Sequence, residues 1–491
     1  MIIPVRVEQL FERHTRSPIS AQLKAEDGRR REKQLFILHV AVFAYFFFAT
    51  TLAIVSWRGL VADGVGYFLN LLARPSFTTF HPPRIFAHAL VQWPLILGLR
   101  AGVTDTTALL YVHSFGLYYL GPLQLLLCYW IVPREKRTDL LWPLISLFAG
   151  SMNAWFVAVT ESHVMTLLFW PLVLFMIYGS FDQTIRLIVF FALACASLLA
   201  YETMALQGLV LAGFALWRSR RASSKVERNL WCVIAGWFLL GSGVAIYSIL
   251  NPHDVINRDG LIRDIFRFAG TQVNDLNYPA ILSFVALALI ALVFLGRALS
   301  AKTFGGLLVF FAAAAVFVAL APVLMPDSLH PIQQFQARAW IGFLPAALAI
   351  AMIAVRMRNT RVSPVVFERA LIVISILGFS QTTWQILATA QWRGYIQVIR
   401  FELSKHKGFI PYDRSPLLQQ PDGIQVIRNL GWGWTHPSMS IALAPGGQVS
   451  AIFGATPGRW QPFNPQNPRE LPKLSKYGID YSAYLRAITS Q

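Results

Sequence analysis

The chain predicts an all-α polytopic membrane protein, and three observations carry that class. Of its 491 residues 55% are hydrophobic and only 13% charged, against about 25% charged in a soluble domain. Apolar runs close to the ~20 residues needed to cross a bilayer recur from Leu35 to Thr389. The net charge of +18 gathers in short segments between alternate runs. That is the positive-inside pattern of a multi-pass chain, and it favours topology over a nucleic-acid surface as the reason for the charge. The expected architecture has about eleven transmembrane helices with an outer-side juxtamembrane helix. A small C-terminal extramembrane region of β character completes it.

Residues 1–34 are polar and end in "GRRREKQ", a basic tail expected in the cytoplasm. The tail is too long, and the next run lacks an A-x-A site, for the start to read as a cleavable signal. A transmembrane domain is expected over 35–389, beginning with "LFILHVAVFAYFFFATTLAIV" at 35–55. A long outer segment, 56–106, follows. Within it "RIFAHALVQWPLILGLR" is apolar but broken by His88, Gln92 and Pro94, which suits a helix lying in the interface. Charge decides this placement: only if that helix lies flat does the run 107–132 deliver "PREKR" (133–137) to the cytoplasm. The basic loops 218–228, 296–302 and 356–361 then fall on the same side.

Spans are expected at 140–159 and 164–180, with "TESH" (160–163) at their outer tip. The run 185–217 reads as a tight hairpin with "YET" (201–203) at its turn. Further spans at 230–250, 279–296, 303–324, 339–355 and 367–389 leave outer loops at 251–278 and 325–340. The region 390–491 is rich in Pro, Gly, Gln and Asn. It carries "IQVI", "SMSIALA" and "VSAIFG" as β-like runs, expected as an outer domain. Cys128, Cys195 and Cys232 lie inside apolar runs without CxxC spacing, so neither a disulfide framework nor a zinc site is indicated.

This topology brings Asp63, Glu161 and Glu202 to the outer face from three separate turns. His81, His163, His253, Asp254 and His330 share that face. Acids at the tips of tight hairpins at membrane depth are costly and fit a polar cavity. Asp63 is placed to act as a general base on a hydroxyl. Tyr67, one helical turn on, faces the same way. Pro82 and Pro83 make a rigid corner, beside which Arg84 and His81 can hold a phosphate. "ESH" at 161–163 offers two ligands to a divalent metal, too few to assign a site. "WGWTHP" (432–437) reads first as packing and second as an aromatic platform for a sugar. No P-loop, HExxH or nucleotide-binding glycine motif occurs.

The segment "ADGVGYFLNLLARPSFTTFHPPRIFAHALVQWPLILGLRAGVTDTTALLYVHSFGLYYLGPLQLLLCYWIV" (62–132) resembles the GT-C membrane glycosyltransferases that use polyprenyl-phosphate sugars. They share a first span, an acid near the start of a long outer loop, a Pro-Pro corner, a juxtamembrane helix and a second span. The resemblance implies that Asp63 is the catalytic base. It implies that outer-loop cations, Arg84 and Arg338 by position, bind the lipid phosphate. Glu161 and Glu202, with Tyr67, His81, His163 and His330, would then contact substrate. Many members carry two adjacent acids, whereas Gly64 follows Asp63, and Arg84-Ile85 follows the diproline; both leave the donor type open. The implied protein is a multi-pass enzyme of a bacterial cytoplasmic membrane, its N-terminus inside and its C-terminus outside. It would transfer a sugar from a polyprenyl-phosphate lipid donor to a glycan, lipid or protein acceptor. Its other partner is the bilayer, and no nucleic acid is implied. The alternatives are a transporter or flippase, or a non-catalytic subunit, in envelope polysaccharide assembly.

Overall fold

The computed structural model describes residues 18–77, 84–157, 161–179, 184–251, 278–295, 299–325, 338–357, 363–411, 430, 435–454, 474–480, 482, 483 and 486. His81, Pro82, Pro83, His253, Asp254 and His330 lie outside them, as do the side chains of Glu161 and Arg338. Among the described residues there are fifteen α-helices and one two-stranded sheet.

The first helix, α1 (Pro18–Val55), contains an apolar stretch, Phe36–Val55, most of which is not buried inside the protein. Its outward face, with Phe47 and Phe48 more than half exposed, needs a hydrocarbon solvent. Two short helices follow, α2 (Asp63–Ala73) and α3 (Ile85–Arg100). The expected run at 107–132 forms α4 (Thr106–Tyr118) and α5 (Leu120–Ile131). The break at Tyr119 keeps helical angles (φ −68, ψ −24). Pro122 has no N–H for the carbonyl four residues back, so the two pieces form one kinked rod.

Then come α6 (Leu141–Ala149), α7 (Glu161–Tyr178), α8 (Thr184–Leu198) and α9 (Met204–Ser219). The remaining long helices are α10 (Lys225–Leu250), α11 (Tyr278–Leu295), α12 (Ala301–Leu324), α13 (Arg338–Met357) and α14 (Pro364–Lys405). Among the described residues six helices are long and apolar enough to cross a membrane: α1 and α10–α14. The protein is thus a mostly helical chain with multi-pass character. Two helices form its axis. α7 is buried from His163 to Ile177, between α5, α9 and α13. α14 packs on α1, α6, α11 and α12.

Two of the prolines inside helices are matched by hydroxyls from neighbours. Pro94 in α3 frees the Leu90 carbonyl, which accepts from the Tyr119 hydroxyl at 3.2 Å. Pro345 in α13 frees the Ile341 carbonyl, which accepts from Thr166 Oγ1 at 3.1 Å. An unpaired carbonyl in this interior would cost several kcal/mol, so these pairings make the kinks tolerable.

Four expectations need correction. The run 140–159 is not one continuous helix. α6 ends at Gly150, where an added Cβ would meet the Ser146 carbonyl at 2.5 Å, and a 3₁₀ turn covers Ser151–Val157. The segment 185–217 does turn at 199–203, yet α8 packs on α7 and α10 while α9 packs on α10; it is no closed hairpin. "IQVI" occurs at 396–399 and at 424–427; the second copy lies outside the described residues, and the first is helical, because Trp392, Ile396, Ile399 and Leu403 bury one face at helical spacing. α14 therefore continues past 389 to Lys405. "SMSIALA" is also helical: α15 (His436–Ala442) starts on Pro437 at its first turn.

"VSAIFG" does hold a strand, β2 (Ala451–Gly454), parallel to β1 (Gly408–Pro411) with Phe409 opposite Ile452. α15 packs on both β2 and α2, and Thr106 Oγ1 donates to the Tyr477 carbonyl. The C-terminal region is thereby seated on the helices next to Asp63.

Candidate functional site

α1 stops at Val55, and the chain must turn before α2 begins at Asp63. That turn, 56–62, is strained at both ends. Trp57 (φ 54, ψ 35) and Ala62 (φ 53, ψ −129) are the only non-glycine residues with positive φ among those described. Each such position costs about 1–3 kcal/mol and persists only where its surroundings over-determine it. Here they do. Trp392 Nε1 donates to the Ser56 carbonyl at 3.1 Å. Gly59 N donates to Ser114 Oγ at 3.2 Å, and Gly59 approaches α4 so closely that a Cβ would meet Ser114 at 2.8 Å. His113 Nε2 lies 3.2 Å from the Gly59 carbonyl and 2.9 Å from the Gly64 carbonyl. Both partners only accept, so Nε2 carries the proton and donates.

Arg58 fills the inside of the turn and is fully buried. Nη1 donates to Thr389 Oγ1 at 2.8 Å, and Nη2 donates to Gln385 Oε1 at 3.0 Å and to the Trp155 carbonyl at 3.1 Å. The guanidinium lies 4.3 Å over Phe156 and 5.1 Å over Tyr118. None of the ion pairs among the described residues includes it. A buried cation without a carboxylate is expensive. The amide, the hydroxyl, the carbonyl and two ring faces spread its charge.

Asp63 emerges from this turn as the first residue of α2, half-buried, where the helix N-terminus favours a carboxylate. Tyr67 is buried one turn on, its ring edge-on to His88 with centroids 5.3 Å apart. His88 and Gln92, both buried, follow Arg84 at four-residue spacing on α3, so the three share a face. Arg84 in turn grips Glu202: Nε lies 3.0 and 3.1 Å from its two carboxylate oxygens, and Nη2 lies 2.8 Å from one. The Arg84 guanidinium also stands 4.8 Å over the Tyr201 ring. Helical spacing (Asp63 to Tyr67, Arg84 to His88) and two contacts (Tyr67 with His88, Arg84 with Glu202) thus order a row: Asp63, Tyr67, His88, Arg84, Glu202.

That row joins four of the nine residues singled out from sequence. His163 belongs to a neighbouring cluster, buried with its ring edge-on to Trp155 at 5.6 Å, and Trp155 supplies the carbonyl that holds Arg58. Glu161 opens α7 and Arg338 opens α13. His81 and His330 fall outside the described residues. Thr435 and His436 of "WGWTHP" are buried, His436 sharing a hydrogen bond with Tyr395. Their part of that motif is packing.

Sequence reasoning passed over Arg58, His113, Gln385 and Thr389, and took His88 only as a break in an apolar run. Arg58 stands just past the first apolar run, where a cation is ordinary in a membrane chain and carries no signal of burial. Gln381, Gln385 and Thr389 at four-residue spacing in an apolar run did carry a signal, since polar stripes in such helices face inward. Gln381 Nε2 donates to Asn153 Oδ1 at 3.1 Å and to the Pro279 carbonyl at 2.8 Å, extending the stripe away from Arg58. Among the described residues no three His, Cys, Asp or Glu side chains gather as metal ligands would.

A bundle of this kind, with one acid presented at the end of its first apolar helix, defines a helical membrane protein with a polar site at one end. Comparison with family models, with curated proteins and with solved structures finds no match to this chain.

Proposed function

We propose that this chain is a membrane glycosyltransferase of the GT-C kind, acting at the outer face of a bacterial cytoplasmic membrane. In this reading the chain crosses eleven times. The kinked α4–α5 rod, α6 with its 3₁₀ extension, α7, α8 and α9 supply the crossings beyond the six long helices. The observation that carries the proposal is the row headed by Asp63. A strained, multiply bonded turn places one carboxylate at the end of the first span, beside a buried tyrosine and an arginine.

The donor is a sugar linked to polyprenyl phosphate, entering from the lipid. The Asp63 carboxylate takes the proton of an acceptor hydroxyl, whose oxygen attacks the anomeric carbon. The bond from that carbon to the phosphate oxygen breaks, and polyprenyl phosphate leaves with the electron pair; the configuration inverts. Arg84 and Arg338 are the cations for the phosphate, and Tyr67 and Glu202 position the sugar. Purified protein in nanodiscs, given polyprenyl-phosphate sugars and an acceptor extract, tests this. Asp63→Asn should lower the transfer rate about 10²–10⁴-fold with donor binding intact. Full transfer by that variant would refute the assignment and shift it to transport or scaffolding.

A further inference from the structure

The turn at 56–62 is held more firmly than chain reversal requires. Three separate elements bond to it: α4 through His113 and Ser114, the 3₁₀ turn through Trp155, and α14 through Gln385, Thr389 and Trp392. Two disfavoured backbone conformations lie inside that grip, the second at the residue before Asp63. His113 reaches across to the Gly64 carbonyl, so its bonds bracket Asp63 on both sides, at 59 and at 64. Arg58 can reach α14 and the 3₁₀ turn at once because its planar fork presents several donors in fixed directions.

From this arrangement we infer that Arg58 and His113 are positioning residues, which act through the strained turn to set where and in which direction Asp63 presents its carboxylate. Their catalytic consequence rests on the reading of Asp63 as the base; the geometric claim does not. Release of either residue lets Trp57 and Ala62 relax toward ordinary φ, and that rotates the start of α2. Proximity terms are steep, so a displacement of about 1 Å at a reacting group costs on the order of 100-fold in rate.

The test uses the full chain in nanodiscs with Cys128, Cys195 and Cys232 replaced by alanine and with Asp63→Cys as a probe. The rate of its reaction with a water-soluble maleimide reports how position 63 is presented. His113→Leu and Arg58→Lys should change that rate by roughly fivefold or more, since thiol reactivity follows access and local charge. His113→Gln places an amide N–H near the original Nε2 and should restore the parent rate. Ser114→Ala, a milder change to the same turn, should shift the rate in the same direction as His113→Leu if the latter fails to fold. Equal rates in the parent and all folded variants overturn the inference.

Transfer kinetics on the chain that retains Asp63 supply the second arm. His113→Leu should lower kcat with KM unchanged, and combining it with Asp63→Asn should lower the rate no further than Asp63→Asn alone. Losses that multiply overturn the positioning role. The two hypotheses fail separately: full transfer by Asp63→Asn defeats the enzyme reading, whereas an unresponsive label at position 63 defeats positioning.

Discussion

Ala62 has φ 53 and ψ −129, a conformation that glycine adopts freely and alanine does not. The strain of about 1–3 kcal/mol there exceeds the ~0.4–1 kcal/mol that a glycine loses through greater freedom of the unfolded chain. Ala62→Gly should therefore raise stability by about 1 kcal/mol, read as a higher unfolding midpoint in detergent. A lower midpoint would mean that the backbone there is not strained. The Arg84–Glu202 pair is a second residue-scale case. Its side chains are 13% and 22% exposed, so the fork is partly shielded from water. A double-mutant cycle with Arg84→Ala and Glu202→Ala should give a coupling of about 1–2 kcal/mol, well above the value for exposed pairs. A coupling near zero would show that the two residues hold the corner independently.

At the scale of elements, close approach decides more than hydrophobicity does. α3 and α4 touch where Gly116 faces the Val91 carbonyl, and a Cβ on Gly116 would stand 2.2 Å from that oxygen. A backbone atom cannot swing away as a long side chain can, so the helices must separate. Gly116→Ala should destabilise the protein by about 1–3 kcal/mol, measured by thermal unfolding. Gly98→Ala on the same pair of helices should be nearly silent, because its Cβ would meet only Leu109 and Val112 side chains at ordinary distances of 3.7 and 3.8 Å. The run over 107–132 was legible as one rod because its apolar residues are continuous; the kink at Tyr119 comes from Pro122. The run at 140–159 was legible only as apolar. Its 3₁₀ second half turns the Met152 and Trp155 carbonyls toward Gln385 and Arg58, partners more than two hundred or nearly one hundred residues away in sequence.

For the whole molecule, helix directions follow from end-to-end pairings. Gly378, Thr383 and Thr389 of α14 meet Val42, Tyr45 and Arg58 in that order, so α14 and α1 run the same way. Arg356 at the end of α13 meets Asp139 and Tyr178, which marks the opposite end of the bundle. α14, with 42 residues, is about 63 Å long, roughly twice the ~30 Å hydrocarbon core, so in the proposed orientation its end and the C-terminal strands stand beyond that core. The proposed orientation predicts that a membrane-impermeant maleimide labels Gln448→Cys in intact cells. Lys136→Cys should be labelled only after permeabilisation, and the reverse pattern would invert the topology. Composition and charge placement were enough to determine the multi-pass helical class, and the first outer acid pointed to one end of the bundle, because both depend on local properties that each segment carries by itself. Which buried groups meet was decided by tertiary structure alone. Arg58 reads as a boundary charge until α14 and the 3₁₀ turn close around it. His113 reads as one polar residue in an apolar run until its ring bridges the carbonyls on either side of Asp63. The physical reason is that a buried cation or a strained φ is stable only when partners distant in sequence satisfy it, and a linear sequence does not display those distances.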